Sequence, residues 1–386
     1  MSNDKRVLTT HVGSLVRPPE FRAKLEQRIA GELGDDEFNA ALRAAVDGVV
    51  ARQKQAGVDI VSDGEYGKIG GWEQYVIARL SGFGERQELA MEGKAPTICG
   101  DHRSFPEFYG EYWGGQNTPE GIYPCVGPIT YTGHDELQRD IANLKSAMAK
   151  AGVETGFLPV AAPASAFALS PNQYYASDED YVQAGAAALR EEYKAIVDAG
   201  LFVQIDDAHL PFQYDAMVPP ASKEDYFRWA RLRVDALNEA LRGIPQDRVR
   251  YHICWGSWNG PHTSDVELKE IVHLLLEVNV GAYCIEAANA RHEHEWQVWK
   301  TVKLPEGRKL VPGCVSHQTN VVEHPELVAE RILRFASVVG GENVIAGTDC
   351  GFAQGPLMAR VHPTIMWAKL EALAQGAKIA SRTLWG

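Results

Sequence analysis

The stretch RYHICWGSWNG, residues 250–260, places a histidine and a cysteine two apart at the end of a short apolar run. In a strand, residues two apart point to one side, so His252 and Cys254 share a face. Imidazole and thiolate at close range suit zinc. Two later runs end in residues of matching chemistry: AYCIEAAN ends in Glu286, and VIAGTDCGF ends in Asp349-Cys350 followed by Gly351. His252, Cys254, Glu286 and Cys350 together make a tetrahedral set of one nitrogen, two sulfurs and one oxygen, drawn from three strands. The competing reading makes Glu286 the cap of the next helix and Cys350 a buried apolar residue.

Other candidates fit less well. Cys284 lies two before Glu286 and faces the same way, but its deeper position favours packing. His292 and His294 in RHEHE look like a metal motif, yet they open a helix, where residues two apart diverge. They are read as a solvated helix start. Cys125 and Cys314 are read as packing residues.

Zinc bound by two thiolates and a carboxylate is electron-rich and a poor source of hydroxide. It can still hold an incoming thiol deprotonated at neutral pH, where a free thiol of pKa about 8.5 is mostly protonated. The chemistry that follows is alkyl transfer to that sulfur, with Glu286 the ligand easiest to displace.

Positioning such a set requires several strands ending on one side. Short β-rich runs occur at residues 7–12, 58–62, 122–130, 156–160, 201–205, 249–254, 282–286, 309–315 and 343–347. Helix-period segments lie between them, at residues 36–56, 178–199, 223–241, 266–278 and 325–339. RQKQAG and AIVDAG read as helix ends closed by glycine. Repeated β-then-α units imply parallel strands with crossover helices. The expectation is an α/β protein, a single (β/α)8 TIM barrel over residues 1–386. Its site belongs at the C-terminal ends of the strands. Nine runs are one more than the barrel needs. No Gly-x-Gly-x-x-Gly follows the first run, so a dinucleotide fold lacks support.

Residues 82–121 break the rhythm. They are polar, weakly periodic and rich in glycine and aromatics, including Phe105, Phe108, Tyr109, Tyr112 and Trp113. The aromatics argue against disorder. Two readings stand: a lid over the barrel mouth, or a contact surface in a homo-oligomer.

Bulk properties narrow the field. Among 386 residues, 51 are acidic and 38 are lysine or arginine, a net charge of −13. That speaks against nucleic acid and against a polybasic membrane contact. No apolar run follows the polar residues 1–6, so no signal peptide is read. The most apolar stretch, residues 158–169, contains Pro159 and Pro163 and is too short to span a bilayer. A cytoplasmic protein is expected. Six cysteines in a chain this long do not suggest a disulfide framework.

The ordered pieces LTTHVGS, DIVSDGEYGK, VGPITY, FVQIDDA, HIC, CIEAAN and IAGTDCG resemble the catalytic half of cobalamin-independent methionine synthases, from Val7 to Trp385. The resemblance implies a (β/α)8 barrel with zinc on His252, Cys254, Glu286 and Cys350. It implies a homocysteine-like thiol substrate, with its carboxylate at the backbone around Gly13 and at Ser14. Its amino group would lie at Glu65 and Asp206, although strand-end capping is the plainer reading of Asp206 and Asp207. His317, in CVSHQTN, falls near the family's proton-donating histidine. The partners implied are a small thiol and a methyl or alkyl donor: a folate, a corrinoid protein or another.

The chain also departs from the family's full-length pattern. It has no room for the second, N-terminal barrel. The tryptophan after GPxT is replaced in GPITYTG, and DEP is replaced by Asp206-Asp207-Ala208. These departures weigh against methyl-folate as donor. Similar single-barrel relatives include epoxyalkane:coenzyme M transferases, whose sulfonate substrate needs cations. A non-catalytic zinc barrel and a metal-free decarboxylase barrel are further alternatives, the second disfavoured by the His252–Cys254 pair.

Overall fold

The apolar runs pair side by side as parallel strands. The structure, a computed structural model, describes residues 5–70, 74–88, 100–114, 121–168, 170–353 and 355–386. The strands are β1 (Leu8–Thr9), β2 (Ile60–Val61), β3 (Thr155–Ala161), β4 (Phe202–Asp207), β5 (Val249–Ile253), β6 (Ala282–Ile285), β7 (Lys309–Val315) and β8 (Ile345–Thr348). Each pairs with its neighbour in chain order, and β8 pairs with β1. A parallel bridge from Thr10 to Ile60 joins β1 to β2 and completes the circuit. The strands are buried on both faces, which is why they read as near-continuous apolar runs. The expected (β/α)8 barrel is the observed fold.

The surplus run is residues 122–130. Only Gly121–Ile122 forms a strand there, antiparallel to Gln87–Glu88 and outside the barrel. Pro124 and Pro128 lack the N–H that a ladder needs, so the run cannot continue as an interior strand.

The crossover helices follow the periodic segments. The helix Asp35–Ala56 ends at Gly57, whose φ of 87° is left-handed. The helices Asp178–Asp198, Lys223–Ala240, Leu268–Glu277 and Pro325–Val339 lie where the periodicity puts them. The helices Pro19–Ile29, His134–Ala151 and Pro363–Trp385 were not singled out by pattern. The main core fills the space between strands and helices. A smaller cluster of Val12, Cys254, Ala282, Cys284, Val311 and Cys350 lies apart from it. Below the mouth, the Arg250 guanidinium donates to Thr10 Oγ1 at 3.0 Å and to the His11 carbonyl at 2.9 Å.

Residues 82–121 are described in part; residues 89–99 and 115–120, and the Trp113 side chain, lie outside the described residues. Two short helices, Gly100–Ser104 and Pro106–Gly114, form where no period was evident. Tertiary bonds hold them: Gly100 N–H donates to Asp215 at 2.7 Å, and Thr263 Oγ1 donates to Asp101 at 2.6 Å. Among the described residues, no helix is long and apolar enough to cross a membrane.

Candidate metal centre

His252, at the C-terminal end of β5, pairs in register with Asp206 on β4 and with Cys284 on β6. Register partners rise on the same side of the sheet. Asp206 Oδ1 accordingly lies 3.0 Å from His252 Nδ1 and also accepts from Gln204 Nε2 at 2.8 Å. A carboxylate on Nδ1 assigns the proton to that nitrogen and leaves Nε2 as the donor atom. Nε2 is buried and has no hydrogen-bond partner.

The donor atoms of His252, Cys254 and Cys350 all lie within 4.8 Å of one another, and all three residues are buried. A hydrogen bond from Cys254 pulls the Cys350 thiol well below its ordinary pKa, while the same bond, with burial, pushes Cys254 up. Ser257 Oγ adds a bond to Cys350 Sγ at 3.0 Å. Two sulfurs sharing a proton beside a bare imidazole nitrogen fit zinc, which replaces such protons on binding.

Glu286 stands beside this group, not within it. Its carboxylate accepts from Trp255 N–H at 3.2 Å and from Asn289 Nδ2 at 2.6 Å. Burial pushes its pKa up to about 8, assisted by the charge of Asp349. Asp349 ties down the turn after β6 by accepting from the N–H groups of Ala287 and Ala288, each at 2.8 Å. Cys284 does not join the three-residue group; it faces Gln204 and Arg250. Cys125 and Cys314 are buried, as packing residues are.

The residues implied for the amino-acid end of the thiol also converge. Glu65 is buried, adopts a left-handed φ of 63°, and donates its N–H to Asp63 Oδ1 at 2.9 Å. A non-glycine residue in that region is strained and clusters at functional sites. A Cβ on Gly13 would sit 2.7 Å from Glu65 Oε1, so only glycine lets that carboxylate approach. Burial raises Glu65 to about 7, with Lys68 lowering it and Asp206 raising it. Lys68 Nζ lies 3.5 Å from Glu65 Oε2. Gly13 N–H is taken by His11 Nδ1 at 3.0 Å, and Ser14 Oγ donates to the Ala353 carbonyl at 2.7 Å.

His317 is fully buried just beyond β7, and neither ring nitrogen has a hydrogen-bond partner. Burial lowers its pKa to about 4, so it is uncharged at neutral pH. Asp207 serves as a cap: it accepts from Ser165 Oγ at 2.9 Å, Leu210 N–H at 3.2 Å and Tyr251 Oη at 2.7 Å.

RHEHE corrects one expectation. His294 is exposed, but His292 is buried rather than solvated. Its Nδ1 lies 2.8 Å from Glu295 Oε2 and its Nε2 lies 3.0 Å from Asp265 Oδ2. Asp265 Oδ2 also meets His262 Nδ1 at 3.1 Å. This chain of alternating charges packs behind the Cys254 loop, where Trp255 stacks on His292 at 4.1 Å and Trp258 lies 4.3 Å from His262. Sequence reasoning missed it because Asp265 comes from a different loop. Ser257 and Asn289 were also missed, although both sit inside the quoted motifs.

Comparisons with known proteins bear on the family and the fold. The chain matches the family described as "Cobalamin-independent synthase, Catalytic domain" over residues 7–93 and 144–365. It is 25% identical to a 2-hydroxypropyl-CoM lyase of Xanthobacter autotrophicus, covering 99% of this chain and 96% of that protein. It is 24% identical to a methionine synthase of Thermococcus kodakarensis, covering 97% and 94%. A B12-independent methionine synthase from Shewanella sp. W3-18-1, solved in complex with selenomethionine, has the same fold. That likeness has a TM-score of 0.74 at 19% identity, over 98% of this chain and 99% of that one.

Proposed function

The chain belongs to the cobalamin-independent synthase family, and from that we propose that it is a zinc-dependent methyl or alkyl transferase acting on a small thiol such as homocysteine. The observation that carries the reading is the buried His252, Cys254 and Cys350 group, with Asp206 behind the imidazole. Zinc, when bound, supplies a Lewis acid that favours the deprotonated form of a substrate thiol at neutral pH.

The chain's own residues do the rest. His252, Cys254 and Cys350 would hold the metal, with Glu286 beside them as the weaker fourth ligand. Asp206 orients His252. Glu65, with the second oxygen of Asp206, receives the ammonium of an amino-thiol, and Ser14 with its own backbone N–H receives its carboxylate, since the Gly13 N–H is held by His11. His317 is neutral and can accept the thiol proton at a ring nitrogen, then return it to the leaving group of the alkyl donor. The sulfur forms a bond to the alkyl carbon as the carbon–leaving-group bond breaks. The described part of residues 82–121 packs on the β5 loop, where Trp258 Nε1 donates to Tyr109 Oη at 2.9 Å, and this contact supports its reading as a lid.

A second reading is thiol addition to an epoxide. The relative named a 2-hydroxypropyl-CoM lyase supports it, as does Lys68 beside Glu65, which partly neutralises the ammonium site. Incubating zinc-loaded protein with homocysteine or coenzyme M against methyl-folate, methylcobalamin and epoxypropane separates the readings by product. No alkylated thiol from any pair would refute both.

A further inference from the structure

Arg360 lies at the base of the turn that runs out from Cys350. Ala353 bridges to Ala359, and Arg360 N–H donates to the Phe352 carbonyl at 3.1 Å. Phe352 N–H in turn donates to the Ser14 carbonyl at 2.9 Å. The guanidinium is held from above: Nη1 donates to Tyr112 Oη at 2.8 Å, and the same hydroxyl accepts Asn259 N–H at 3.2 Å. Asn259 belongs to the loop that begins at Cys254. Arg360 is thus fixed where the β5 and β8 loops and the helix Pro106–Gly114 meet.

Among the described residues the guanidinium has no counter-ion. Its Nε is buried and has no hydrogen-bond partner. Among the described residues no carboxylate pairs with it, whereas Arg79, Arg233 and Arg331 each hold one. Arg17 and Arg250 also have no carboxylate partner among the described residues, but their terminal nitrogens are taken by backbone carbonyls, whereas Arg360 donates from Nη1 to Tyr112. Such a charge is costly to desolvate unless an anion completes it. The same turn reaches the reacting centre: Ser14 packs against Gly351, next to Cys350, where an added Cβ would sit 2.7 Å from Ser14 Cβ.

We propose that Arg360 binds the anionic group, carboxylate or sulfonate, of the small substrate that reacts at the His252, Cys254 and Cys350 centre. Tyr112 occupies Nη1, so Nε and Nη2 present the two-pronged edge that matches two oxygens of such a group. The contact with the Ser14 loop points to the acceptor thiol as the source of the anion. The inference rests on the thiol-transfer reading above.

The test is binding to the full-length, zinc-loaded protein by calorimetry. The probes are homocysteine, coenzyme M, and their anion-free counterparts 3-mercaptopropylamine and 2-mercaptoethanol. Wild type should prefer each anionic thiol over its counterpart by about tenfold or more, the worth of one charge-assisted hydrogen bond. Arg360→Met should erase that preference and leave the anion-free thiols unchanged; Arg360→Lys should keep part of it. Equal wild-type affinity for the members of each pair overturns the proposal without recourse to any variant, as does an Arg360→Met protein that keeps every preference. Cobalt-substituted protein separates the two levels. A thiolate absorption band with 2-mercaptoethanol but no anion preference sinks Arg360 alone. No band with any thiol sinks the thiol-transfer reading, and this proposal with it.

Discussion

The Asp206 carboxylate oxygen that hydrogen-bonds His252 Nδ1, at 3.0 Å, also receives Gln204 at 2.8 Å, so it is committed to the imidazole. An ammonium would have to be met by the other oxygen. Under the proposed function Asp206 would therefore link the His252, Cys254 and Cys350 group to the ammonium site at Glu65, a role that strand-end position alone did not assign.

That link separates two acids otherwise treated as a pair. Asp206→Ala should weaken zinc binding by about 10–100-fold, the usual cost of losing a carboxylate behind a ligand histidine. Glu65→Gln should leave zinc affinity unchanged. Competition with a chromophoric chelator measures both, and equal loss in the two variants would contradict the assignment.

The metal set should show a graded response. Purified protein should carry about one zinc per chain. Cys254→Ala and Cys350→Ser should lose most of it. Glu286→Gln should retain more, because the Glu286 carboxylate stands outside the close group and is held by Trp255 and Asn289. Elemental analysis after dialysis decides; full zinc in both cysteine variants refutes the site.

Glu65 sets a pH dependence. Its folded pKa is raised from 4.5 to about 7, chiefly by burial. Its contribution to stability is therefore present below about 4.5 and is lost as pH rises through about 7, where the buried carboxylate ionises. An ammonium ligand compensates that charge. Affinity for homocysteine should rise with pH through about 7, and affinity for 2-mercaptoethanol should not show that component. A flat difference between the two thiols would count against Glu65 as the ammonium partner.

His292 acts on stability. Its pKa is raised to about 10: burial opposes the charge, but bonds to Asp265 and Glu295 prevail. The stabilisation is complete below the unfolded value of 6.5 and is lost as pH rises through about 10. His292→Gln leaves Asp265 and Glu295 short of a buried cation and should cost about 3 kcal/mol or more at neutral pH. The gap between wild type and variant should close towards pH about 10 in urea denaturation. A gap independent of pH would mean that His292 is held neutral.

Local chemistry alone was enough to read the strand-and-helix alternation, because apolar period and glycine helix ends depend on near neighbours. The same holds for His252 and Cys254 sharing a face, which follows from the two-residue repeat of a strand. Glu286 and Cys350 were legible as the ends of two later apolar runs, and the order of motifs carried the rest of the candidate set: Gly13, Ser14, Glu65, Asp206 and His317. Tertiary structure decided what depends on register and closure. It set Asp206 opposite His252, left Glu286 beside the sulfurs rather than among them, and buried His292 against an acid from another loop. It also excluded residues 122–130 from the barrel and brought Tyr112 onto Arg360 across 248 positions of sequence. Such pairings are fixed by how strands align and loops pack around a closed ring, and no window of neighbouring residues contains that information.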